Sequence, residues 1–539
     1  MKDIKKFYTG TFLVILVIFC SCLMGQKILE HSSRTSGQGT EVSENDYGRF
    51  LAAHHALYVN DFDNAVKMAG AINAENKTVS DVQVMADFFG GKLPKNASSF
   101  KDSKELVNGL IYDAYLIQQD DWKSVYSRHN KDVTIFAAPL RIFSGTKLGK
   151  TKEVNRFLDS LKINDSWKAF AKGQVAVLKG DTDAAAKEFA KVHPDFMNIN
   201  DYLYLMSFYQ ENGMTEDMDI LRNDFISKPG GMYILNYPDI PDWSNYAGYK
   251  NNLVFSLIQN ISHTQMMIHT DLSLVFLRFA QTISNQVNGD AINYYLGQYY
   301  FHNSGDYKTC FESINRTSPF YLFGVLNIAE KNGDMAAIKK MAKDNPLFIP
   351  AVQIVVREAV KNGDKSGALR VINRALNHRD LPEAGRAFFL GLRANVYLMF
   401  NDTKRAQKDV YLIKSTGDKL TLDFMGLQAN IWLLENRNLD EAYNYAMTLI
   451  KNNTSDILAW DLVAQIVAKK EGVINAIDIL ESVSAASGNV SLIYEHLGDL
   501  YVAHGDTERA LRAYTQALDL SDDGLIVVPF VQKKIRNLK

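Results

Sequence analysis

Four groupings of side chains could do chemistry, and each is weighed by residue type and spacing. Gly145-Thr146-Lys147-Leu148-Gly149-Lys150-Thr151 has the glycines, lysine and hydroxyl of a phosphate-binding loop, in which backbone N–H groups and an ammonium hold the anion. Its first glycine stands one residue too close, and the segment before it reads as a helix turn instead of a buried strand, so nucleotide binding is set aside. His54-His55, and His263 with His269 and Asp271, are the local histidine groupings. Neither has the i, i+4 placement with glutamate that a zinc hydrolase needs, and both read as surface or cavity-lining side chains. Trp243 and Tyr246 sit in a segment opened by Pro229-Gly230-Gly231 and carrying Pro238 and Pro241, where aromatic rings could hold a peptide or a glycan, while the preferred reading is that they dock on neighbouring repeats and bridge two half-solenoids. Cys310 is the single cysteine outside the N-terminal apolar run, so it has no partner there for an internal disulfide. No Gly-x-Ser-x-Gly elbow occurs, and no catalytic, cofactor-binding or metal-binding residue is nominated.

The elements that position these residues follow from composition. The chain has 539 residues, of which 47% are hydrophobic and 22% charged, values of a chain that buries a large core. Lys plus Arg number 59 against 61 for Asp plus Glu, a net charge of -2 that gives no reason to expect nucleic acid as a partner. Eleven prolines and 33 glycines in this length suit a largely helical protein.

Lys2, Lys5 and Lys6 precede an apolar run from Phe7 to Gly25, followed by a polar stretch rich in serine, threonine and glycine. That is the layout of a signal sequence or a membrane anchor. The run of about 19 residues is just long enough to cross roughly 30 Å of hydrocarbon. Ile18-Phe19-Cys20-Ser21-Cys22 loosely follows a bacterial lipobox, which makes Cys22 the candidate for lipidation. Lipidation, an uncleaved helix and simple removal of a signal peptide stay open. In all three the lysines stay in the cytoplasm and the body is exported, so the expectation is a protein of the cell envelope whose body faces the periplasm.

Internal repeats account for nearly all of the rest. The clearest unit is Leu497-Gly498 with Tyr501, then Gly505-Asp506, Ala510, Tyr514 and Ala517. Small residues let two antiparallel helices approach, aromatics fill the space between them, and Gly505 breaks the helix. The same arrangement recurs at Gly297, Gly305 and Cys310, with Cys310 in the slot of Ala510, and at Gly363 with Ala368. Further turns fall at Gly333, Asn401, Asn438 and Gly472, and in the N-terminal half at Asn60-Asp61, Asp120-Asp121, Gly149, Gly180-Asp181 and Asn212-Gly213. The pattern resembles a tetratricopeptide repeat (TPR), whose period is about 34 residues.

That resemblance implies an all-α fold, a TPR-like helical-repeat solenoid behind the N-terminal segment. The organisation resembles exported alphaproteobacterial TPR proteins, which implies a non-enzymatic scaffold or adaptor that binds a protein through its concave face. The expected layout is a signal or anchor (1–25), a polar linker (26–45), an N-terminal array (46–228), a Pro/aromatic interruption with helices (229–290), a C-terminal array (291–520) and a capping tail (521–539). Some TPR proteins grip a partner's terminal carboxylate with basic residues on the first helix of each pair. In the best repeat here the groove-facing positions are Leu492, Glu495, Asp499 and Val502, whose charges would repel a carboxylate, so Glu495 and Asp499 are contact candidates of another kind. A polysaccharide-binding protein or enzyme subunit using Trp243 and Tyr246, and a cytoplasm-facing anchored assembly factor, are the alternatives. No cofactor is expected.

Overall fold

The computed structural model describes residues 44–58, 61–72, 77–132, 134–135, 137–264, 270–284, 288–303, 305–415, 422–487 and 490–539. Cys20, Cys22, Asn60 and His269 lie outside them, as does the whole apolar run 7–25. Among the described residues every regular element is helical, and no helix is long and apolar enough to cross a membrane.

In chain order the α-helices are α1 Glu44–Tyr58, α2 Phe62–Gly70, α3 Lys77–Phe89, α4 Leu106–Gln118, α5 Trp122–His129, α6 Ala138–Lys147, α7 Thr151–Ser160, α8 Asp165–Leu178 and α9 Thr182–Phe189. There follow α10 Ile199–Glu211, α11 Thr215–Ile226, α12 Gly248–His263, α13 Asp271–Ser284, α14 Gly289–His302, α15 Tyr307–Glu312, α16 Tyr321–Lys331, α17 Met335–Asp344, α18 Ile349–Lys361 and α19 Lys365–Leu376. The last nine are α20 Glu383–Met399, α21 Thr403–Ser415, α22 Leu422–Leu434, α23 Leu439–Asn452, α24 Ile457–Lys470, α25 Val473–Ser487, α26 Ser491–His504, α27 Thr507–Asp519 and α28 Val528–Leu538. They form two compact units, the first from the described residues up to 192 with those of 244–314, the second from the described residues of 193–243 with those of 315–539. The compact units therefore cut across the sequence segments, because the stretch 229–290 is divided between them.

One turn builds most of the pairs. The first helix ends at a residue with positive φ, glycine at Gly363 (+78°) and Gly505 (+87°), where a side chain would be strained. The next residue is an aspartate that caps the second helix. Asp364 accepts the backbone N–H of Gly367 at 2.8 Å and Asp506 that of Arg509 at 2.9 Å, with Asp121, Asp181, Asp306 and Asp334 doing the same. A cap of this kind contributes about 1 kcal/mol. Where glycine is absent, Asp120 and Asn401 take the positive φ, as short polar side chains tolerate best.

Within a pair, a glycine on the first helix leaves a notch that an aromatic ring of the second fills. A Cβ on Gly498 would overlap Tyr514, one on Gly297 would overlap Phe311, and one on Gly173 would overlap Phe189. Leu497, Tyr501, Ala510 and Ala517 are buried around the Gly498 notch, and Ala368 is buried in its own pair. Cys310 departs from the expectation. It is only half-buried, while Ala510 is wholly enclosed and the ring in the Gly297 notch belongs to Phe311. In the six-residue α15 the ring that fills the notch stands five residues after the capping Asp306, whereas Tyr514 and Phe189 stand eight after Asp506 and Asp181, so the plug comes three residues earlier.

In unit 1, α12 packs on α6 and α8 while α13 packs on α3 and α4. α12 is buried nearly all round, and its polar groups are satisfied inside: Trp167 Nε1 donates to Asn260 Oδ1 at 2.8 Å, Gln174 Nε2 to Asn252 Oδ1 at 3.2 Å, and Ser256 Oγ to Gln174 Oε1 at 3.0 Å. In unit 2, a single core runs from Met232 and Tyr233 through α16 to α20, and separate smaller cores fill the later pairs.

Candidate interaction surface

The residues that the sequence marks for contact are for the most part spent on packing. Tyr246 is buried, its ring edge-on to Phe255 at 5.7 Å, and burial alone pushes its hydroxyl far above the ordinary tyrosine range. Trp243 is half-buried and packs edge-on against Tyr204 and Phe208 of α10. Large aromatics with an enclosed face contribute through the area they remove from water.

Glu495 and Asp499 are engaged by the chain's own tail. Lys534 on α28 reaches Glu495 Oε1 at 2.9 Å and Asp499 Oδ2 at 2.6 Å, and the Tyr514 hydroxyl donates to Asp499 Oδ1 at 2.6 Å. Burial disfavours the Lys534 charge, but the two carboxylates outweigh it and hold the ammonium above its usual range. His496 beside them has Nδ1 2.8 and 2.9 Å from the oxygens of Asp461 on α24. Burial works against its charge too, yet Asp461, with Glu495 and Asp499 behind it, pushes it up to about 9.

The tail does more than cover the last pair. Val531 is buried with Ile535 and Leu538 in the last core, while Val527 belongs to the core of α16–α20. Asp522 pairs with Lys361 at 2.5 Å, a Cβ on Gly363 would stand 3.2 Å from Pro529, and Phe530 packs edge-on to Phe400. The segment thus clasps the last helix pair of unit 2 to turns more than 100 residues earlier.

The phosphate-loop-like stretch is helix. Gly145 lies inside α6 against Val154 and Tyr126, Thr146 Oγ1 donates to Ile142 O at 2.7 Å, and Gly149 is the turn glycine before α7. His54 and His55 lie on α1 and His263 ends α12. Among the described residues no group of His, Cys, Asp and Glu could hold a metal ion.

What remains open is a groove in unit 2 of about 1220 Å³ between α19 and the 3-10 segment Pro229–Asn236. Its wall comes from the interruption. Met232 is fully buried and fills the space that Gly385 leaves on α20, and Tyr233 packs edge-on against Phe323 and Phe348. So fixed, the segment presents Leu235 and Asn236 to the groove. The opposite side is one face of α19, where Ser366, Arg370, Asn373, Arg374 and Asn377 follow at helical spacing.

Electrostatics single out that face. Asp380 at the groove's end is taken by Arg379 at 3.1 Å. Among the described residues neither Arg370 nor Arg374 has a carboxylate at ion-pair distance, and both are exposed. Asn373 is held from behind: Arg393 donates to its Oδ1 at 2.7 Å, and Arg393 is itself clamped by the buried Asp409 at 2.7 and 2.8 Å. The bidentate bond to Asp409 holds the guanidinium charge more firmly than usual, burial opposing. No sequence motif marks this groove, but the polar stripe of α19 is visible once the helix is placed.

No protein-family model matches the chain, and no curated protein matches it. Solved structures with similarity include a tetratricopeptide repeat protein from Parabacteroides merdae ATCC 43184, 13% identical over 57% of this chain and 98% of that one, with a TM-score of 0.28. The APC/C hetero-tetramer Cut9-Hcn1 is 12% identical, covering 92% and 96%, with a TM-score of 0.30. Yeast Tom70 is 14% identical, covering 82% and 96%, with a TM-score of 0.27. The TPR-like repeat of this chain stands on its own geometry, the capped turn and the glycine notch.

Proposed function

We propose that this chain is a non-enzymatic interaction scaffold of the cell envelope, tethered by its N-terminal segment, that receives a protein partner in the α19 groove of unit 2. The observation that carries this reading is the groove itself. It is an open groove walled by an inserted segment, with two exposed arginines that have no carboxylate at ion-pair distance among the described residues and an asparagine oriented from behind. Stacked helix pairs bury their apolar faces in one another and leave rigid polar surfaces, which suits recognition. The lysines before the apolar run 7–25 and the lipobox-like Cys22 support export and attachment to the membrane.

A photo-crosslinking residue at Asn377 of the full chain, in growing cells, should capture one protein, and the same residue at Lys187 on α9 should not. Equal labelling from both positions, or none from Asn377, overturns the assignment. Alkaline phosphatase fused after Lys539 should be active if the body is exported. A lipid mass increment that disappears in Cys22→Ser would assign the anchor, and an intact N-terminus would assign a transmembrane helix instead.

A further inference from the structure

We propose that the α19 groove takes an extended acidic peptide segment, an inference that rests on the scaffold reading and names the chemistry of its partner. From Ser366 to the C-cap Asn377 the face rises by 11 residue steps, roughly 16 Å at 1.5 Å per residue. An extended peptide of about five residues spans that distance. Arg370 and Arg374 lie one turn apart, so their guanidinium groups meet carboxylates on the same edge of such a strand. Guanidinium is planar and weakly hydrated, and binds carboxylate through two parallel N–H bonds.

Asn373 supplies the second element of recognition. Arg393 spends the carbonyl oxygen of this amide, which leaves the two N–H groups to donate to a ligand's backbone carbonyl. Because Asp409 fixes Arg393 by two bonds, little rotamer freedom remains to be lost on binding. Leu235 and Leu369 supply apolar area for an intervening side chain. The groove therefore asks for a segment of acidic residues broken by an apolar one.

A nucleic acid would meet the same charges and is the less favoured partner. Single strands bind on successive aromatic rings that stack with the bases, whereas the lining of this groove holds one ring, the imidazole of His378, which stands 3.9 Å from the Asp380 carboxylate. Its polar lining instead offers amide groups, which match a peptide backbone.

The test is fluorescence anisotropy on the full chain at low salt. The probe is a fluorescein-labelled peptide of sequence Glu-Glu-Leu-Glu-Glu, compared with its glutamine counterpart and with oligothymidylate of similar charge. The acidic peptide should bind at least tenfold more tightly than the glutamine peptide, and weaken as salt rises. Arg370→Glu with Arg374→Glu should reduce that affinity at least tenfold. The equal charge change Lys152→Glu with Arg156→Glu, on α7 of unit 1, should leave it within twofold. If the reversed variant loses its helical melt, Arg370→Gln with Arg374→Gln replaces it, with the same loss expected.

Equal binding of the glutamine peptide overturns the proposal. So does unchanged affinity after charge reversal, or tighter binding of oligothymidylate that the same variants abolish. These results are distinct from failure of the scaffold reading. A partner cross-linked at Asn377 through a stretch without acidic residues would keep the scaffold and remove the acidic ligand, whereas absence of any cross-link removes the scaffold itself.

Discussion

The last helix pair of unit 2, α26 and α27, and the pair α18 and α19 are built on the same glycine-aspartate turn, and they differ in what they leave unspent. In the last pair the outward carboxylates Glu495 and Asp499 are bound by Lys534, the glycine notch is filled by Tyr514, and the tail covers the apolar edge. In the earlier pair the outward face keeps Arg370 and Arg374 exposed, with no ion pair among the described residues, and Asn373 pre-oriented, beneath a wall that is not part of any repeat. The pair with the sharpest repeat signature is thus the one most occupied with its own stability. The comparison teaches that repeat residues report packing, while recognition is to be sought where an insertion meets the stack.

The largest effect tests the wall of the groove. Met232 is completely buried in the α16–α20 core, so Met232→Ala should cost about 3 kcal/mol by loss of transfer energy and a residual cavity. The loss should appear as faster amide exchange in residues 230–236 and α20, together with weaker binding of the acidic peptide. Unchanged peptide affinity would separate the wall from recognition and break the comparison on that side.

Gly498→Val strikes the other pair. The added atoms would overlap the Tyr514 ring, which Asp499 holds in place, and overpacking of this kind costs about 2 kcal/mol even after the helix gains over glycine are counted. Exchange should quicken in α26 and α27 only, with peptide binding intact. If the variant abolished binding, the last pair would be part of the recognition surface after all.

Much of this could be read in the sequence. Gly505-Asp506 with Ala510 and Tyr514 foretold a helix break and a close pair, because the residue types follow from local sterics that do not depend on distant neighbours. The capping role of the aspartate was visible in the same dipeptides and adds the reason why Asp follows the turn glycine so often. Cys310 stands four residues after Asp306 as Ala510 does after Asp506, but in the six-residue α15 the notch is filled by Phe311 next to it, which no local pattern announces. The groove was missed for two physical reasons. The repeat pattern assigns partner contacts to the first helix of each pair, whereas Ser366, Arg370 and Asn373 stand on a second helix and Asn377 caps its end. The segment 229–236 also reaches α19 across more than 100 residues of chain, and its docking through Met232 and Tyr233 is a tertiary event without a local signal. Lys534, which pairs with Glu495 and Asp499, likewise comes from the tail and has no local signal in their repeat.

Lys534→Met gives a smaller effect. It removes the cation between two carboxylates while keeping most of the apolar stem against the last core, and a part-exposed pair of this sort contributes about 1 kcal/mol. The tail helix should then exchange faster than α27, and the groove should be unaffected. Tail exchange no faster than in the unaltered chain would mean that Val531 and Ile535 alone fasten the helix.

The most specific effect is the pH response of His496. Its folded-state pKa is raised to about 9 from an ordinary value near 6.5. A raised pKa means that the folded chain holds the proton more tightly than the unfolded one, so the contribution is fully present below about 6.5 and fades as pH climbs through about 9. Above that range the neutral ring faces the buried Asp461 with no charge to balance it. The protection of α24 and α26 against exchange, corrected for the intrinsic pH dependence, should therefore fall between pH 6.5 and 9.5. His496→Gln keeps an amide donor for Asp461 but cannot titrate, so its profile should be nearly flat across this window, with lower protection than the unaltered chain at pH 6.5. An identical slope in the two proteins would show that His496 does not carry the pH dependence; Lys534, held above its usual range, keeps its charge across this window and cannot supply that slope.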